Sequence, residues 1–340
     1  MLLALIGLAL VYSFLNGYRD SSSILAGVIA SRAMRPRIAL YLVAVAEFVA
    51  PFLYGAAVAR SITTGLVDSS AVTLNTIVIA MMAAVLWNVF CWWRGIPSSS
   101  THALIGGVVG ATLIINGPQA ILGRGVLYNV LPLFVAPIIG LIVGWILMYL
   151  MLWALSNATP KVNTLFRRLQ VLTAVLLAMS NSANDSHKSM GIIVLGLILA
   201  GQRSTFGLPL WVMVACAAAI SIGASLGDWR QIRILGGRVF RIRPLNALAS
   251  QTTSTLVVLA ASVFGMPVST SHIISTSLMG SGAAERINKV RWHVASEMAT
   301  TWVLTIPATM AVSILIFFAA TEFTRFGAAF AWMVPALGLR

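Results

Sequence analysis

Four short polar strings hold the groups of this chain best suited to binding an ion. Asn16-Gly17-Tyr18-Arg19-Asp20 and Ser182-Ala183-Asn184-Asp185-Ser186 each bring a carboxylate and an amide. Pro97-Ser98-Ser99-Ser100-Thr101-His102 and Pro267-Val268-Ser269-Thr270-Ser271-His272 each bring a proline, a run of hydroxyls and a histidine. The arrangement comes round twice: 165 positions separate Asp20 from Asp185, and 170 separate Pro97 from Pro267. In the hydroxyl strings, proline suits the first turn of a helix and Ser or Thr caps its start. Helix starts attract oxyanions through unpaired N–H groups and the positive end of the dipole. Ser99, Ser100, Thr101, Ser269, Thr270 and Ser271 add donors without a fixed charge that would trap a ligand. Two such starts meeting from opposite sides would cage a tetrahedral oxyanion. One string alone is better explained as plain capping; a matched pair is not. A carboxylate does not bind phosphate or sulfate directly. Asp20 and Asp185, with Asn16, Asn184 and nearby carbonyls, suit a coupling cation, sodium or a proton. The competing reading is that the two aspartates are held in salt bridges with Arg19 and Lys188.

These strings lie in very apolar surroundings. Of 340 residues, 59% are hydrophobic and 9% charged, and the mean hydropathy is +0.95. A soluble domain has roughly 25% charged residues, so a large soluble enzyme is excluded. Runs such as 38–59, 71–93 and 128–155 reach the ~20 residues that cross a bilayer. Residues 1–15 lack a basic start and a small-residue cleavage site, and are expected to belong to the mature protein. The net charge of +14 comes without any aromatic-and-basic module, so no nucleic-acid partner is expected. The basic residues fall mostly in short loops, where they orient a membrane protein. Trp92, Trp93, Trp153, Trp229 and Trp292 read as anchors against membrane lipid at the interfaces. Cys91 and Cys216 read as small core residues.

The loop charges give an orientation. The loop after the first polar string holds Arg32, Arg35 and Arg37, and the next holds only Arg60. In the second half the order reverses, with Arg203 alone and then Arg230, Arg233, Arg238, Arg241 and Arg243. After the hydroxyl strings the swap recurs: Arg124 alone, against Arg286, Lys289 and Arg291. With basic loops facing the cytoplasm, equivalent loops of the halves lie on opposite sides. The expectation is an all-α polytopic membrane protein of the plasma (inner) membrane with about ten to twelve transmembrane segments. It would consist of two inverted-topology repeats, 1–155 and 169–340, joined by a cytoplasmic linker, 156–168, that contains Pro160. Both termini would face outward, and the polar strings would be broken or re-entrant helices.

With these motifs the chain resembles the PiT (Pho-4) family of inorganic phosphate transporters. That family has an Asn-Gly-(Ala/Phe)-(Asn/His)-Asp string in its first half and His-Gly-Ala-Asn-Asp in its second. Each is followed by Pro-(Val/Ser)-Ser-(Thr/Ser)-(Thr/Ser)-His. The resemblance covers essentially the whole chain, including 97–106, 183–191 with Lys188, 236–240, 265–272 and 282–292. It implies cation-coupled phosphate symport by alternating access, an inverted-repeat fold, a homodimer, and no enzymatic activity or bound cofactor. It also implies that Asn16, Asp20, Asn184 and Asp185 serve the cation and phosphate, with the six hydroxyl residues around the anion. The departures are Arg19 for Asn or His, Ser23 where Asn often stands, Asn181-Ser182 for His-Gly, and Gln251 for a common glutamate. Arg19 either replaces a bound cation or turns its planar fork on the anion. Glu47, an intramembrane carboxylate, is a further candidate modulator, as are Lys188 and Gln251. His102 and His272 read as helix residues rather than proton relays. The rival functions are a sulfate permease of the same fold and, from another class, an anion channel or a phosphate-sensing receptor.

Overall fold

The computed structural model describes residues 1–68, 70–159, 161–230, 232 and 242–331. Pro160, Arg233, Arg238, Arg241 and the 236–240 motif lie outside the described residues. Among the described residues eleven α-helices follow one another: α1 (Leu2–Ala30), α2 (Pro36–Leu53), α3 (Ala57–Gly65), α4 (Leu74–Arg94), α5 (Ser100–Asn116), α6 (Gly123–Ala154), α7 (Val162–Leu199), α8 (Leu210–Leu226), α9 (Pro244–Val263), α10 (Thr270–Glu285) and α11 (Trp292–Ala331). Among the described residues, six helices are long and apolar enough to cross a membrane: α1, α2, α4, α6, α7 and α11, the last over Ala295–Glu322. Helices α5 and α8 are apolar but shorter. Helix α9 is long enough but buries a polar stripe that includes Asn246, Ser250, Gln251, Thr253 and Ser254. Because α7 starts at Val162, residues 162–168 of the expected linker are helical.

The molecule is polar inside and apolar outside. Every residue from Ser180 to Leu197 of α7 is buried, hydroxyls, amides and charges included. Outward positions carry large apolar side chains such as Tyr41, Val45, Ile138, Ile142 and Leu210, and all five anchor tryptophans are exposed. That is the surface a lipid solvent requires. Cys91 and Cys216 are buried free thiols. The halves interleave: α1 packs on α8 while α7 packs on α2, and α6 packs on α10 while α11 packs on α5.

Two kinds of polar string fold differently. The hydroxyl strings are true interruptions. Helices α4 and α9 end alike, at Gly95 (φ +69°) and Gly265 (φ +70°) in the left-handed region. Ile96 N–H bonds the Cys91 carbonyl and Met266 N–H the Ala261 carbonyl, each at 2.8 Å. This is the glycine-terminated cap that satisfies a helix's last carbonyls. Proline follows two residues later in both, and α5 and α10 then restart at Ser100 and Thr270. The acidic strings, by contrast, are not broken, which corrects the sequence-based expectation. Helices α1 and α7 run straight through 16–20 and 182–186. Their polar side chains bond within the helix, Ser22 Oγ to the Tyr18 carbonyl at 3.3 Å and His187 Nδ1 to the Ala183 carbonyl at 2.9 Å. Gly17 serves packing instead of a break: a Cβ there would lie 1.9 Å from the Ile220 carbonyl oxygen of α8.

Candidate functional site

Helix α7 brings the second acidic string against both hydroxyl strings. Lys188 is fully buried, and its ammonium donates to Thr101 Oγ1 at 2.6 Å, to the Val268 carbonyl at 2.7 Å and to the Asp185 carboxylate. Thr101 Oγ1 in turn donates to the Val268 carbonyl at 3.0 Å. One ammonium thus ties a residue of the first string, a residue of the second, and a carboxylate. A buried ion pair is tolerated only when its remaining donors and acceptors are also matched, and here all three donors of the ammonium are. Asn184 acts on its own string: Nδ2 donates to the Met266 carbonyl and to Ser262 Oγ, and Oδ1 accepts from Val268 N–H, each at 3.1 Å. Its amide therefore fixes the extended segment before α10.

Helix α1 does the same for the first string with other chemistry. Arg19 Nη2 donates to the Ser98 carbonyl at 2.6 Å and Nη1 to Asn88 Oδ1 at 3.0 Å. Tyr12 OH donates to the Ser100 carbonyl at 2.9 Å. Asp20 lies among Asp185, Arg19 and Lys188, close enough for side-chain contact with Asp185. The cluster thus collects two carboxylates and two cations. Both side-chain polar atoms of Asn16 are buried without a protein partner, leaving that amide free to meet a ligand. Ser99 caps α5 by accepting from His102 N–H at 3.3 Å. Ser269, with no such cap bond, faces Ser271 Oγ at 3.3 Å, and the buried Thr270 hydroxyl lacks a protein partner.

Glu47 is wholly buried on α2. Its Oε1 accepts from Asn181 Nδ2 at 2.9 Å, and its backbone carbonyl accepts from Ser182 Oγ at 2.6 Å. Its other carboxylate oxygen has no protein partner. Gln251 is not brought to the strings. It ties α9 to α7 and α1, accepting from Thr173 Oγ1 at 2.7 Å and donating to the Ile24 carbonyl at 3.4 Å. Among the described residues no three His, Cys, Asp or Glu side chains converge on a metal position. A sodium ion near Asp20 and Asp185 would therefore need amide, hydroxyl and carbonyl oxygens to complete its shell.

Behind the strings stands a ladder of rings. His102 lies 5.0 Å from His272, His102 meets the edge of Phe134 at 5.5 Å, and His272 stacks on Trp302 at 3.9 Å. Phe134 and Trp302 are themselves 168 positions apart, so the ladder follows the internal repeat. The sequence motifs did not reveal these two aromatics, nor Asn88. An amide inside the apolar helix α4 was the available signal for Asn88, since such groups persist in membrane helices mainly where they are bonded.

The comparisons with known proteins agree with one another. A model of the phosphate transporter family matches residues 16–313. A protein of Rhizobium meliloti (strain 1021) described as a "probable low-affinity inorganic phosphate transporter" is 37% identical over 322 residues, covering 94% of this chain and 96% of the relative. A Bacillus subtilis (strain 168) protein of the same description is 36% identical over 314 residues, covering 91% and 94%. A solved structure titled "The sodium-dependent phosphate transporter" shares the fold with a TM-score of 0.84 at 20% identity, over 94% of this chain and 99% of that one. Matched along most of its length by the family model and by full-length relatives, this chain belongs to the phosphate transporter family.

Proposed function

We propose that this multi-pass membrane protein imports inorganic phosphate across the plasma membrane by cation-coupled symport with alternating access. The observation that carries the reading is the junction at Lys188, where the string that starts α5 meets the one that precedes α10. In this reading Ser99, Ser100, Thr101, Ser269, Thr270 and Ser271 surround the anion. Asn16, Asp20 and Asp185 serve a coupling sodium ion or proton, and Asn184 sets the geometry of the second string. Among the buried carboxylates, Asp20 and Asp185 cluster with Arg19 and Lys188, and Glu47 bonds Asn181, on the same helix as Asp185. A carboxylate that ionises in a membrane interior calls for a counter-ion. A co-transported cation supplies it. The exchange of packing partners between halves and the reversed loop charges support an inverted repeat, 1–155 and 169–340, with the strings meeting near midplane. A homodimer completes the proposal.

Uptake of radiolabelled phosphate into proteoliposomes, under imposed sodium or proton gradients and with sulfate as competitor, tests it. Phosphate uptake driven by one of the gradients is expected. Uptake of sulfate without phosphate would overturn the reading. In the same assay Thr101→Val, which removes a hydroxyl that both accepts from Lys188 and donates to Val268, is expected to lower phosphate uptake about tenfold. Thr101→Ser should recover most of it. An unchanged rate for the valine variant would remove Thr101 from the site.

A further inference from the structure

Each half sets one fixed cation against the same point of its own hydroxyl string, from different positions on the acidic helix. In the second half Lys188 bonds the carbonyl of Val268, the residue after Pro267, and the position matching Arg19 is the neutral Asn184. In the first half Arg19 bonds the carbonyl of Ser98, the residue after Pro97, and the position matching Lys188 is the neutral Ser23. The charge has therefore moved along the helix by four residues, about one turn, while its target carbonyl has stayed the same. Asn88 of α4 holds the guanidinium fork in place.

We infer that Arg19 is the counterpart of Lys188 and a specificity-determining residue of the phosphate site. The two form a pair of fixed cations bracketing the anion, and Arg19 gives the first half a charge that a bound metal ion would otherwise supply. The inference rests on the phosphate-transport reading above. Two further observations support it. Arg19 is only 7% exposed and adjoins Asp20 in the chain, so the first half buries a cation close to its carboxylate, although Arg19 bonds Asn88 and Ser98 where Lys188 pairs directly with Asp185. Arg19 also lines a cavity of about 20 Å³ with Ser23, Ser271, His272 and Ser275. Two of its five N–H donors are used in the bonds to Asn88 and Ser98, which leaves donors beside the α10 hydroxyls. A planar, donor-only fork beside hydroxyls suits an oxyanion. The cavity has room for only a water-sized group, so phosphate would meet Arg19 as the strings part.

The test uses phosphate uptake kinetics in proteoliposomes, with and without sodium, for the wild type, Arg19→Asn, Arg19→Lys and the double variant Arg19→Asn/Ser23→Lys. Wild-type uptake comes first: its absence would fail the transport reading and leave Arg19 unaddressed by that result alone, so phosphate-induced thermal stabilisation in detergent is measured alongside. Arg19→Asn copies the amide found at position 184. It is expected to raise KM for phosphate about tenfold or more with little change in Vmax, and to make uptake more responsive to sodium than in the wild type. It should weaken the phosphate-induced stabilisation in parallel. Arg19→Lys should retain most of the affinity. The double variant rebuilds in the first half the arrangement of the second, and is expected to restore the low KM and the wild-type sodium response. An unchanged KM and sodium response in Arg19→Asn would overturn the inference. So would a double variant that folds, as judged by a monodisperse profile in detergent, yet recovers neither property.

Discussion

Replacing Lys188 by methionine is expected to abolish phosphate uptake and to lower stability by about 3–5 kcal/mol, the cost of breaking a buried ion pair from one side. The size follows from what the ammonium leaves behind. Lys188 has no exposed surface, and its three bonds go to Asp185, Thr101 and Val268. Without it, the Asp185 carboxylate is stranded in a water-poor interior and the two strings keep only the bond from Thr101 to the Val268 carbonyl. The double variant Lys188→Met/Asp185→Asn separates these consequences. It removes both charges of the pair, so most of the stability should return, while uptake should remain absent. Thermal unfolding in detergent and proteoliposome uptake check both parts. A single variant as stable as the wild type would mean that the pair does not hold the centre of the fold.

Gly17→Ala is expected to be nearly as damaging, although it adds one methyl group. That methyl would lie 1.9 Å from the Ile220 carbonyl oxygen. From the other side of the same crossing, a Cβ at Gly223 would lie 2.1 Å from the Phe14 carbonyl oxygen. Both obstacles are backbone, so α1 and α8 would have to separate instead of a side chain turning away. Overpacking of this kind costs typically about 1–3 kcal/mol, occasionally more. The displacement also falls two and three residues from Arg19 and Asp20, so uptake should fall further than stability does. Gly7→Ala on the same helix is the control: nothing lies within 4 Å of its Cβ, and losing a glycine inside a helix should be neutral or stabilising by about 0.5–1 kcal/mol. Equal effects from the two variants would show that the α1–α8 crossing is not close-packed at Gly17.

Much of the site was legible in the chain. Hydroxyl runs behind Pro97 and Pro267 marked helix starts because proline and serine act locally, within one turn, and α5 and α10 do begin there. The acidic strings were read correctly as buried and polar but wrongly as breaks. Glycine, asparagine and serine are poor helix formers in isolation. Here α1 and α7 are enclosed by other helices, serine and histidine side chains bond to carbonyls one turn back, and Gly17 is needed for a close crossing. The two explanations for Arg19 could not be separated from its neighbours in sequence, because its bonded partners, Asn88 and Ser98, lie 69 and 79 residues away. Gln251 was singled out by the family pattern, yet its bonds go to Thr173 and Ile24.

The sequence by itself determined the class of the protein, the twofold repetition of its polar strings and which groups are candidates for binding an ion. Hydropathy, proline position and residue spacing are properties of short stretches of chain, and they survive without knowledge of the fold. Only the tertiary structure decided which polar strings unwind, that Lys188 joins the two hydroxyl strings, and that Arg19 and Lys188 reach equivalent carbonyls from positions one turn apart. Those facts depend on which helices pack together. In a membrane interior a buried polar group must find its partner across helices, and that partner can lie anywhere in the chain.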